Sequence, residues 1–260
     1  PTHPRFYSEL DKLLESQGAP IDTRVNLLTA NHQYVSQLQG ALMREIIVLV
    51  LAADYDRAIE LMDSRVFYRQ EDVNILHDLH ADAHILKGKQ YLAAGDSEAA
   101  LKEFLIADTY PENQMIERSA RYRGNSRVYY YTGLGYEAAG NKQAAQEFYT
   151  KAISQQRTGN EYLYYRAIAY LKTGESEEAQ KIFTQMIKLG EDQLNDSGET
   201  DFFAKFGGDL TENQRKAISC RIIGLGYLGQ DETEKARKLF SQSLEYDVNQ
   251  LWSKVYLAEL

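Results

Sequence analysis

The sequence predicts an all-α protein built as an array of about six helical hairpins, and three observations carry that reading. One pattern recurs: GKQYLAAGDSEAALKEFLIA, GLGYEAAGNKQAAQEFYTKA, AIAYLKTGESEEAQKIFTQM and GLGYLGQDETEKARKLFSQS each hold a tyrosine, an alanine nine residues on and an aromatic four further. The four prolines are Pro1, Pro4, Pro20 and Pro111, so the last 149 residues contain none, as suits long helices. A chain of 260 residues with 43% apolar and 11% aromatic side chains can also bury a sizeable core.

From the N-terminus, FYSELDKLLESQGAPIDTRVNLL reads as a first hairpin, with Leu14 at the tyrosine position, Gly18 at the turn and Pro20 near the start of the second helix. LVLAADYDRAIELM is a second, with Leu49, Ala58 and Met62 standing for tyrosine, alanine and aromatic. The four clear copies follow, marked by Tyr91, Tyr136, Tyr170 and Tyr227, with alanines 100, 145, 179 and 236 and aromatics Phe104, Tyr149, Phe183 and Phe240. Small residues at Gly88, Gly133, Ala167 and Gly224 let the paired helix approach. A helical glycine costs about 1 kcal/mol relative to alanine, so its recurrence implies packing. Gly95, Gly140 and Gly174 fall at the turns, where a left-handed cap suits glycine. This G-x2-Y…A-x3-F spacing resembles the tetratricopeptide repeat (TPR) family, which implies a TPR-like right-handed superhelical solenoid over residues 1–260 as a single domain.

The marker separations are 35, 42, 45, 34 and 57 residues, so some hairpins are joined by insertions. The longest, at about 189–213, has a polar, turn-rich front half and a cluster of Phe202, Phe203 and Phe206, read as a long loop docking back on the array, or as a flap beside a groove. Gly224, Gly226 and Gly229 spell G-x-G-x-x-G, the fingerprint of a dinucleotide-binding turn. That turn needs a preceding strand, and here the same register recurs at GLGYEAAG, so the glycines belong to the repeat.

HPRFYSELDKL, DTYPENQ and TDFFAKFGGDL with NQRKAISCRIIGLGYLG are similar to segments of bacterial proteins in which a C-terminal TPR array accompanies an uncharacterised β-rich domain. The resemblance implies a helical tail of a larger, carbohydrate-related polypeptide and offers that β-rich domain as a partner. A start without methionine fits the expectation of a piece of a longer protein.

Net charge of −9 argues against nucleic acid, which needs clustered cations. The longest apolar run, 46–53, is too short to span a bilayer, which takes about 20 residues. The compartment stays open, with the cytoplasm favoured. Cys220, the single cysteine, falls at a packing position and reads as an inert thiol. HDLHADAH places His77, His80 and His84 on one helical face, but i and i+7 lie about 10 Å apart, so the three do not converge on one ion. No nucleophile elbow, phosphate loop or zinc-protease motif occurs. The expectation is a non-enzyme without cofactor or metal.

Such arrays act through the concave face lined by the first helix of each hairpin. The register places Asp82, Ile85, Leu86 and Lys89 there, then Arg127, Tyr130, Tyr131 and Leu134, then Glu161, Tyr164, Tyr165 and Ile168. Lys89, Arg127, Tyr130, Tyr131, Leu134, Tyr164, Tyr165 and Ile168 are the candidate ligand-binding set. Paired tyrosines suit peptide recognition or sugar stacking, but YYY and YLYY cannot all face inward, so packing between repeats stands beside recognition. The predicted function is a protein-interaction scaffold for a peptide or protein domain. The alternative is a module holding a carbohydrate or lipid.

Overall fold

The computed structural model describes residues 2–68, 75–115, 125–155, 161–195 and 210–260. They form an all-α, TPR-like array of six hairpins and a final helix, with no strand among the described residues. The chain divides into two compact units, residues 1–148 and 149–260.

In the first unit, α1 (Pro4–Ser16) pairs with α2 (Ile21–Thr29), a short α3 (His32–Val35) follows, α4 (Gln39–Leu51) pairs with α5 (Tyr55–Asp63), and α6 (Leu76–Ala93) with α7 (Ser97–Ile106). α8 (Ser126–Ala138) opens a fourth hairpin whose second helix, α9 (Lys142–Ser154), crosses the division between the units. First helices pack in succession, α1 on α4, α4 on α6 and α6 on α8. The second unit holds α10 (Tyr162–Thr173) with α11 (Ser176–Asn195), α12 (Glu212–Gly229) with α13 (Thr233–Tyr246), and α14 (Leu251–Glu259) on α13.

All six turns close the same way. The carbonyls of Leu14, Leu49, Tyr91, Tyr136, Tyr170 and Tyr227 each accept from the N–H five residues on, at 2.8–2.9 Å. The residue before each donor is left-handed: Gly18, Ala53, Gly95, Gly140, Gly174 and Asp231, with φ between 61° and 88°. This is the Schellman closure, and it places the two diverged copies in the same register as the four clear ones. In the second and sixth hairpins a side chain tolerates the left-handed region that glycine occupies elsewhere, at a cost of about 1 kcal/mol. Asp54, Asp96 and Asn141 then cap the next helix, accepting from Arg57, Ala99 and Ala144 N–H.

The seams follow the predicted positions. Ala58, Ala100, Ala179 and Ala236 are fully buried, as are Met62, Phe104, Phe183 and Phe240. A Cβ on Gly88 would lie 2.4 Å from the Phe104 ring, and one on Gly224 2.8 Å from Phe240. Gly226 and Gly229 serve the other side of α12: a Cβ there would stand 2.9 Å from the Phe183 carbonyl oxygen and 2.2 Å from the Phe183 ring. The G-x-G-x-x-G glycines are therefore helical packing positions.

The expected insertion begins as helix. α11 continues through Leu189 to Asn195, and bare Gly190 lets it run against α12, where a Cβ would lie 2.5 Å from Ile223. Phe202, Phe203 and Phe206 lie outside the described residues. Two features carry no repeat signature. One is α3; the other is a buried ion network in which Asp11 accepts from Arg24 at 2.8 Å and Arg44 at 2.6 Å, with Glu15 also paired to Arg44.

Candidate functional site

Most candidate groove residues of the first unit are tied to the protein itself. Arg127 is 3% exposed, and its Nη2 sits 2.6 Å from the Asp82 carboxylate, so its charge is balanced internally. Ile85 and Leu86 are core residues. The Tyr131 ring is buried beside Phe104, centroids 5.7 Å apart, and edge-on to Tyr130 at 5.5 Å. Lys89 donates to the Tyr131 hydroxyl at 3.2 Å. Lys89, Tyr130 and Leu134 are half-buried and keep partial access to solvent. Burial raises the Tyr130 hydroxyl well above its ordinary range, with Tyr131 and Glu137 adding, so it stays a neutral donor.

In the second unit the chain's own last helix takes the tyrosine pair. Tyr164 and Tyr165 are buried, and the Tyr165 hydroxyl meets that of Tyr256 in α14 at 2.5 Å. Tyr164 packs edge-on to Tyr256 at 5.7 Å and Tyr165 edge-on to Trp252 at 6.1 Å. Glu161 pairs with Arg221 at 2.5 Å, and Ile168 is half-buried. The Tyr165 hydroxyl and both rings are thus engaged within the second unit.

An open cleft lies instead on the first-helix face of the opening hairpins, between α1 and α4, with a volume of about 480 Å³. Arg5 and Lys12 rim it, one and three turns into α1, while Leu38, Ile47 and Ile75 supply apolar wall. Leu38 is 39% and Ile75 46% exposed. No carboxylate among the described residues pairs with Arg5; Lys12 holds an exposed pair with Glu9. The i, i+7 spacing of the two cations was readable as a stripe on one helical face. The apolar wall was not, because Leu38 and Ile75 lie outside any helix.

The histidines have separate tasks. His77 stacks on Tyr110 at 3.9 Å, His80 Nε2 donates to the Ile106 carbonyl at 3.2 Å, and His84 Nδ1 donates to Glu103 at 2.6 Å, with Lys87 on the other Glu103 oxygen. Among the described residues no cluster of three or more His, Cys, Asp or Glu is arranged to hold a metal. Burial, with His84 and His77 beside it, lowers the His80 pKa from 6.5 to about 3, although the Ile106 carbonyl and Glu103 pull the other way. Between those values the unfolded chain takes up a proton that the folded chain refuses. The stability is thus full above pH 6.5 and falls on acidification towards pH 3. A loss of about 2 kcal/mol between pH 7 and pH 5 is expected in urea unfolding, and His80→Gln should flatten it. Glu103, pushed up by burial but pulled further down by His84 and Lys87, adds to the loss only in more acid solution.

Cys220 is buried, and burial raises its thiol, with Glu245 adding, so it is neutral and inert. Among the described residues no helix is long and apolar enough to cross a membrane.

The tetratricopeptide-repeat family model matches residues 161–189, which span α10 and most of α11. No curated protein matches the chain. Among solved structures it is similar to a tetratricopeptide repeat protein from Parabacteroides merdae, at 14% identity over 98% of this chain and 83% of the other, TM-score 0.46. It is also similar to PilF of Pseudomonas aeruginosa, at 17% identity over 99% and 97%, TM-score 0.39. A third is YrrB, a TPR protein described as having an unusual peptide-binding site, at 14% identity over 90% and 98%, TM-score 0.32.

Proposed function

We propose that this chain is a non-enzymatic scaffold that takes a peptide segment or protein domain on the first-helix face of its opening hairpins. The observation that carries the reading is the open cleft between α1 and α4, where an arginine with no carboxylate partner among the described residues and a weakly paired lysine rim apolar side chains. Exposed ion pairs such as Lys12–Glu9 contribute about 0–1 kcal/mol, so the lysine is available to a ligand. A segment joining an acidic residue to a bulky apolar one satisfies both halves of the cleft. By the repeat register, half-buried Lys89, Tyr130 and Leu134 are the positions of α6 and α8 expected to continue that face. A β-rich domain of the same polypeptide is the first partner to try.

The test is a titration of the chain with that domain, or with a partner recovered from the source cell, beside Arg5→Glu/Lys12→Glu and Lys89→Glu variants of unchanged melting temperature. Reversing two rim charges should weaken binding by at least about tenfold, mostly through slower association. Equal affinity for parent and both variants would remove the cleft from the function. Alanine at Tyr164 or Tyr165 is unsuited to this test, because it would release α14 as well as any ligand.

A further inference from the structure

A second cleft of about 570 Å³ lies in the first unit between α3, α5 and the segment 64–68, on residues that the α1–α4 cleft does not use. Among the described residues its polar lining consists mainly of donors. Arg65 is half-buried and gives one N–H to the Ser36 carbonyl at 3.0 Å; no carboxylate among the described residues balances it. His32 commits Nδ1 to the buried Glu45 carboxylate, at 2.8 Å and 3.0 Å to its two oxygens, which fixes the ring and leaves Nε2 without a partner among the described residues. In the imidazolium form Nε2–H donates too, with Glu45 balancing the charge. The Ser36 and Tyr68 hydroxyls have no side-chain partner among the described residues.

The segment that carries Arg65 and Tyr68 is held from below. Phe67 is fully buried and its N–H donates to the Asn113 carbonyl at 2.7 Å. Asn113 Nδ2 donates to the Met62 and Arg65 carbonyls at 2.8 Å and 2.9 Å. Gln39 then grips the Tyr68 backbone at both N–H and carbonyl, at 2.8 Å and 2.9 Å. The donors are thus positioned before any ligand arrives, which spares the ordering cost of binding.

The one acid among the described lining residues, Glu60, pairs with Arg57 at 2.6 Å, but the two side chains are 66% and 38% exposed. So exposed a pair is weak enough for an incoming anion to recruit Arg57. Leu42 and Leu61 form an apolar floor, and the Tyr68 ring stands 60% exposed at the edge.

We propose that this cleft binds an oxyanion, phosphate or carboxylate, carried on a small organic body, with Arg65 and the Glu45-backed His32 holding the anion and the Tyr68 ring covering the body. The shared chemistry is an oxygen-borne negative charge that accepts several hydrogen bonds at once. The reading is independent of the scaffold function, since it needs neither the α1–α4 cleft nor a protein partner.

Phenyl phosphate and benzoate are the probes, titrated into the whole chain while the imidazole resonances of His32 are followed by NMR, with benzyl alcohol as the uncharged control. The expected result is saturable binding of at least one anion in the millimolar range or tighter, with movement of the His32 signals and no response to the alcohol. Arg65→Gln, which keeps a donor for the Ser36 carbonyl, should weaken it by about tenfold or more, the loss of one charge-assisted hydrogen bond. Tyr68→Ala, a surface change, should weaken the aryl anions more than inorganic phosphate. The stronger of the two aryl probes identifies the oxyanion. Absence of saturation with either anion, or saturation that Arg65→Gln leaves unchanged at equal melting temperature, overturns the proposal.

Discussion

Asp11→Ala is expected to cost the first unit about 3–5 kcal/mol, the penalty for stranding a buried charge. Asp11 is fully buried and is the shared acceptor of Arg24, itself 1% exposed, and Arg44. Its removal takes from both guanidinium groups their shared carboxylate, while Glu15, a quarter exposed, stands 3.6 Å from Arg24. Arg24 cannot turn outward, because α1, α2 and α4 enclose it. The double change Asp11→Leu/Arg24→Met removes the buried pair together and should recover most of the loss, since apolar side chains of similar volume often match a buried pair in stability. Urea unfolding followed by circular dichroism measures both. If the single variant loses less than about 1 kcal/mol, the network contributes nothing beyond an exposed pair.

Gly226→Val is expected to destabilise the second unit by about 3 kcal/mol or more. At an open helical site the replacement of glycine by a side chain would be favourable, because glycine has the poorer helix propensity by up to about 1 kcal/mol. At Gly226 the sign reverses, since a Cβ would stand 2.9 Å from the Phe183 carbonyl oxygen, 3.2 Å from the Ile187 N and 2.6 Å from Ile187 Cγ1. The first two contacts are backbone, so no rotamer change relieves them and trimming Ile187 to alanine should not rescue the variant. Gly229 differs: its neighbour is the Phe183 ring, and Gly229→Ala should be partly rescued by Phe183→Leu. Thermal melts of the four variants test the packing account, because a nucleotide-binding turn would show loss of a ligand rather than loss of stability.

The repeat was legible because its seams impose local requirements that sequence records directly. A bare position sixteen residues before an aromatic, as at Gly88 and Phe104 or Gly224 and Phe240, is a contact written at fixed spacing. The diverged hairpins at Leu14 and Leu49 lack that pair and were legible by other signs, Gly18 and Pro20 at the turn of the first and the Leu49, Ala58 and Met62 spacing of the second. The site was less legible. The Tyr165–Tyr256 contact joins residues 91 apart, and the Asp11–Arg44 contact residues 33 apart, and neither has a sequence signature. The seat of α14 on Tyr164 and Tyr165 is likewise unmarked. The donor cleft depends on a segment outside the hairpins, fixed by Gln39 and Asn113, which no periodicity marks. Contacts within a hairpin leave a spacing rule; contacts between distant elements leave none.

The uniform turn closure says how such a chain can change length. Each hairpin is sealed by a carbonyl of the main chain, at Leu14 and Leu49 as at the four tyrosines, so the seal survives any side chain that a helix end accepts. An added or deleted residue within the five-residue span from that carbonyl to its donor would unseal the hairpin, whereas one in the joint before the next hairpin would not. The five-residue span is the same in all six hairpins while the marker separations run from 34 to 57 residues; the second helices, from nine residues in α2 to 20 in α11, and the joints take up the difference. Length drift in descendants of this chain is therefore kept out of the turns and falls on the far ends of the helices and on the joints, as the long α11 already shows.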